Sequence, residues 1–343
     1  MSPGVQIILP GLFDLPLEEL EARFIVDDLP ALNRILGLAS PRDNRDFTID
    51  AMLSSALDIG QQESARTVTG ANGLAMAQAH AGDNQDPRRL LLAEAIHLQA
   101  DMHSAIAVPI LNGSENLSDI DIIINDLGDL FKVDCNIESI AGGRYLFQLK
   151  QFDAPLHYPH PLSILGKSIS PFIEQSREVL PWYRLMNEFQ MFMYQHPVNE
   201  RRQREGRLAI NSLWVWGAGD RPRPALQPSW YCDDPLLNRF ASSLGLRLEP
   251  CRNIAAGGHG ENAVIVDLRL LQYLKSGLDC KLDDLLLDIE RSILEPVLQS
   301  LARRPGPLRL RGGYRVDFEL KSTDRFKFWR RPGSLEGWRQ APC

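Results

Sequence analysis

The residues that could do chemistry fall into a few short constellations. The first is His97, Asp101 and His103, spaced H-x-x-x-D-x-H. On an extended strand His97, Gln99, Asp101 and His103 project to one side, and three such side chains can hold a metal. The same residues also suit an ordinary hydrogen-bonded strand at a surface. The second constellation is HPVN, His196 to Asn199, followed by Arg201, Arg202 and Arg204. At the head of a helix, free backbone N–H groups and nearby positive charge favour an anion such as a phosphate. The structural alternative makes Asn199 a helix N-cap with Glu200 in the first turn. The third is INSLWVWGAG. Trp214 and Trp216 share one face of a strand with Ser212, and Asn211 lies on the other. Two indoles on one face can floor a pocket, or fill a core in which each N–H needs a partner. Gly217 and Gly219 would let the backbone approach a ligand closely. Asp233 and Asp234 precede Pro235 and read as a turn that caps a helix. His157 and His160 sit in a proline-rich stretch and are expected at the surface. The chain carries no GxSxG, P-loop, GxGxxG or HExxH motif.

Elements must position these residues. Val5 to Leu9 is an apolar run stopped by Pro10-Gly11, as expected of a buried strand. Leu29 to Leu38 has helical spacing, with Asp28 as N-cap and Pro30 in the first turn. Thr48 to Leu57 also reads as helical. Leu90 to Asp101 reads as a strand pair or one long strand, Asp119 to Phe131 as a helix, and Arg144 to Gln151 as an alternating strand. From Pro181 to Tyr194, the residues Trp182, Leu185, Met186, Phe189, Phe192 and Met193 recur at three and four, a stripe that belongs in a core. Ala209 to Trp216 is a strand, Leu236 to Leu244 a helix, Val264 to Val266 a strand, Leu282 to Leu301 one long helix and Tyr314 to Leu320 a strand. This alternation predicts an α/β fold with a mostly parallel central sheet and helices on both faces. We expect a single α/β unit over 1–343, an inserted α+β subdomain at about 87–160, and a motif-bearing core at about 180–300. Parallel sheets place ligands beyond the C-terminal ends of their strands, so the turn after Trp216 is the first place to look.

Composition narrows the function classes. The 343 residues are 44% hydrophobic and 24% charged, with a net charge of -7. That balance suits a packed globular protein and disfavours nucleic acid, which needs a cationic face. The arginines at 201–204 and 303–311 read as solvated faces. Five cysteines with no CxxC predict reduced thiols in a cytoplasmic protein. Neither a signal peptide nor an apolar run long enough for a membrane span is expected.

A resemblance joins several of these pieces. The stretch Arg184 to Gly219, with HPVN, a basic run and INSLWVWGAG, resembles the bacterial RpfE-type regulatory proteins. In weaker form it is similar to archaeal-type cofactor-independent phosphoglycerate mutases. Asp233-Asp234-Pro235-Leu236 with Gly245-Leu246 fits the next block of both groups. IILPGLFDLP with LPALNRILG is similar to the opening strand and first helix of the mutases. The resemblance implies an alkaline-phosphatase-like fold. In an active member it also implies two divalent metals held by Asp and His, with a Ser that carries the phosphoryl group. Such an opening strand ends in Asp before Gly, whereas here Pro10 precedes Gly11. After His196 the chain has only His259. The expectation is therefore a non-enzymatic regulatory or binding protein with no catalytic residue, no metal and no cofactor. Its partner would be a protein or a small anionic ligand, met by His196, Asn199, Arg201, Arg202, Asn211, Trp214, Trp216, Gly217, Gly219, Asp233 and Asp234. Two alternatives stand beside it. One is a metal-dependent phosphomutase or phosphatase with a relocated site drawing on Asp14, Asp267 or Asp279. The other is a sensor of a small phosphorylated metabolite through the arginines after His196.

Overall fold

A computed structural model describes residues 4–15, 29–43, 89–101, 104–110, 114–140, 143–152, 158–173, 177, 179–218, 228–256, 262–276, 280–312 and 316–324, and singly 52, 56 and 333. Asp28, His103, His157, Gly219, His259, Asp279 and most of the helix expected at 48–57 lie outside these residues. The chain forms two compact units, one from residues 1–47, 225–274 and 278–343, the other from 48–224 and 275–277.

The chain opens with β1 (Val5–Ile8), α1 (Pro30–Leu38) and β2 (Ser40–Asp43). The second unit supplies β3 (Leu90–Ala100), β4 (Ala105–Pro109), α2 (Ser114–Leu130), β5 (Cys135–Ser139), β6 (Arg144–Leu149), α3 (Leu180–Tyr194), α4 (Pro197–Arg204) and β7 (Ser212–Trp216). Then follow β8 (Ser229–Cys232), α5 (Pro235–Ser243), β9 (Arg247–Glu249), β10 (Ala263–Val266), α6 (Arg269–Ser276), α7 (Leu282–Ile289), α8 (Glu295–Arg303), β11 (Leu308–Arg311) and β12 (Val316–Leu320).

In the first unit seven strands lie in the order β2-β12-β11-β1-β10-β8-β9. The pairings from β11 through β9 are parallel, and β12 and β2 close the other edge antiparallel. This is the mostly parallel α/β sheet expected from the alternation. Ile7, Leu9, Ile265 and Leu310 share a core with Leu32, Ile35 and Leu36 of α1 and Leu285, Leu286 and Ile289 of α7. On the opposite face Trp230 meets Phe240 of α5, with ring centroids 6.3 Å apart. Helices thus cover both faces, which is why β10 reads as an unbroken apolar run and β1 as one interrupted only by Gln6.

The start of α1 departs from the sequence reading. Its N-cap position is Leu29, which has no side-chain oxygen to offer. The carboxylate of Glu290 takes that role, accepting from the N–H of Ala31 and from that of Leu32 at 3.1 Å. Glu290 begins a π-helical turn, Glu290–Leu294, that interrupts the helix expected to run unbroken from 282 to 301. Burial raises the Glu290 carboxyl above the usual range, and the two N–H bonds pull it back only in part.

The sheet of the second unit is antiparallel throughout, in the order β4-β3-β6-β5 with β7 on the other edge of β3. An inserted α+β subdomain was expected at about 87–160, but β7, expected in the motif-bearing core at about 180–300, joins this antiparallel sheet as well. The difference comes from β3. Its 11 residues are long enough to carry β6 and β4 along one edge and β7 along the other. The α3 stripe enters this core. Phe189 packs against Phe131 and Phe147, at 4.8 and 6.1 Å. Among the described residues no helix is long and apolar enough to cross a membrane.

Candidate functional site

The HPVN segment starts α4 at Pro197, with His196 as the N-cap in place of Asn199. His196 Nδ1 accepts from the Val198 N–H at 3.2 Å, which leaves Nε2 to donate to Asp126 at 3.1 Å. The N–H groups of Asn199 and Glu200 are taken by the His196 carbonyl. Asn199 is buried one turn on. Its Nδ2 donates to the carbonyls of Met193 and Ile210 at 2.7 and 2.8 Å, and its Oδ1 accepts from the Ile210 N–H at 2.8 Å. It therefore ties the end of α3 to the segment entering β7. Asn211 extends the ladder between β7 and β3 by one rung. Its Oδ1 accepts from the Leu98 N–H at 2.7 Å, and its Nδ2 donates to the Leu98 carbonyl at 3.0 Å.

The arginines after His196 are not all a solvated face. Arg202 is 2% exposed. Its guanidinium reaches Asp119 at 2.7 Å, Asn116 at 2.8 Å and the Leu208 carbonyl at 2.7 Å. Arg201 also pairs with Asp119, and Arg207 reaches it at 2.9 Å. Burial alone would raise the Asp119 carboxyl. The Arg202 hydrogen bond and the charges of Arg207 and Arg201 outweigh it and hold Asp119 below the usual carboxylate range. Arg201 and Arg202 are thereby committed to an internal carboxylate.

The two indoles are core. Trp214 Nε1 donates to the Pro159 carbonyl at 2.9 Å, and its ring meets the edges of Tyr158 and Phe172. Trp216 packs against His160 at 4.5 Å between ring centroids. His160, expected at the surface, is 2% exposed. Burial, with a smaller effect from the Arg144 charge, pushes its pKa down to about 3, so the ring is neutral at neutral pH. A proline-rich stretch signals extended backbone but does not say which face it covers. Gly217 follows with φ +87°, a left-handed turn that leaves β7. His97 is also engaged, with Nδ1 2.9 Å from the Ala209 carbonyl.

In the first unit acids follow the C-terminal ends of two parallel strands, Asp233 and Asp234 after β8 and Asp267 after β10. β1 runs into Pro10 and then Gly11, whose φ is +93°. A Cβ on Gly11 would stand 2.9 Å from the Leu274 side chain, so this glycine serves packing on α6. Asp267 directly follows β10 and is 8% exposed. Arg269 Nε reaches both of its oxygens, at 3.1 and 2.9 Å, and Nη2 reaches Oδ2 at 2.6 Å. Nη1 of the same guanidinium donates to Asp288 at 2.6 Å. Asp234 caps α5 through the Leu237 N–H at 2.9 Å, as its place before Pro235 suggests. Asp233 accepts from the Cys251 N–H at 3.3 Å. Burial first, and the charges of Asp233 and Asp267 next, keep the Cys251 thiol protonated.

The two-metal centre implied by the resemblance does not fit these residues. Pro10 offers no side-chain donor where the first carboxylate would stand. Asp267 is already occupied by a guanidinium. Among the described residues no group of three or more His, Cys, Asp or Glu is gathered to hold a metal ion. Sequence reasoning missed Asp119, Asp288 and Arg269. An Asp-x-Arg step directly after an apolar strand was the one available signal for the Asp267–Arg269 pair.

No family model matches the chain. A stretch of 85 residues, 25% of the chain, is 37% identical to a probable 2,3-bisphosphoglycerate-independent phosphoglycerate mutase of Geobacter sulfurreducens and covers 21% of that protein. A stretch of 63 residues is 36% identical to the 2,3-bisphosphoglycerate-independent phosphoglycerate mutase of Methanosarcina barkeri and covers 16% of it. The matches thus span about a fifth or less of these curated relatives. The PH0037 protein from Pyrococcus horikoshii aligns over 98% of this chain and 92% of its own, with TM-score 0.53 and 14% identity, and shares the fold. The chain is distantly homologous to the cofactor-independent phosphoglycerate mutases.

Proposed function

We propose that this chain is a non-enzymatic binding or regulatory protein, RpfE-like, on a phosphoglycerate-mutase-like scaffold. The observation that carries this reading is the Arg269 guanidinium seated on Asp267 at the end of β10. A carboxylate engaged at both oxygens by a planar guanidinium is neutralised, and its lone pairs are directed to N–H donors. A divalent ion would have to displace that guanidinium and then sit beside its charge. Pro10 removes a second potential ligand.

The alternative readings draw less support. Of the acids available to a relocated metal site, Asp267 is paired in this way. The arginines of an anion sensor, Arg201 and Arg202, are held by Asp119. The test is metal analysis of the purified protein together with an assay of 3-phosphoglycerate and 2-phosphoglycerate interconversion in added Mn²⁺. Neither bound metal nor turnover is expected. Two tightly held divalent ions with turnover would end the proposal.

A further inference from the structure

We draw no further inference here: the strongest candidate, the side-chain cluster of Asp233, Cys251, Asp267 and Arg269 past the C-terminal ends of β8 and β10, belongs to the site already described, where Arg269 and the Cys251 N–H already engage its acids.

Discussion

Acid should weaken the second unit through His160. The ring is 2% exposed, lies against Trp216 and has its pKa pushed down to about 3 by burial, with a smaller contribution from Arg144. In the unfolded chain the same group titrates at its ordinary value of 6.5. The folded pKa is depressed, so the unfolded state takes up the proton first. The stability is present above 6.5 and is lost as pH falls from there towards 3. Linkage over two pH units below 7 gives a loss of about 2 kcal/mol from this one group by pH 5, roughly a thirtyfold change in the folding equilibrium. Other groups titrate in the same window, so the assay must be a difference of differences. Urea unfolding followed by tryptophan fluorescence, at pH 7 and pH 5, would be run on the parent and on His160→Phe. Phenylalanine keeps a ring against Trp216 and removes the proton acceptor. Whatever the variant's stability at pH 7, its loss between the two pH values should be smaller than the parent's by about 2 kcal/mol. Equal losses in both proteins would refute the reasoning.

Asn199→Ala should cost about 2–4 kcal/mol in urea unfolding, because it leaves the buried N–H and C=O of Ile210 and the Met193 carbonyl without their amide partner. Asn199→Asp should not rescue it, since an ionised carboxylate cannot donate to two carbonyls. Glu290 behaves opposite to His160. Its folded pKa is raised by burial, so its contribution is fully present below the unfolded value of 4.5 and is lost as pH rises through the folded one. Unfolding midpoints of Glu290→Gln between pH 4 and pH 7 should therefore fall less with rising pH than those of the parent.

Much of the fold was legible because its signals are local. The apolar run of β1, the three-and-four stripe of α3, the alternation in β6 and the Asp234 cap before Pro235 each depend on residues within a turn or two of one another. The homology to mutases was also readable from short blocks, since strand-turn-helix geometry constrains neighbouring residues together. What only the tertiary structure decided was which distant groups meet. Glu290 caps a helix some 258 residues earlier, and Asp119 gathers arginines from more than 80 residues away. Proline-rich backbone near His160 folds over the indoles of β7 rather than facing water. Antiparallel pairing of β7 with β3, rather than a place in the parallel sheet, follows from the length of β3 and from the Asn211 bonds to Leu98. Local propensity acts through backbone torsions over a few residues, whereas a buried charge or polar group takes its partner from whatever the whole chain brings within about 3 Å.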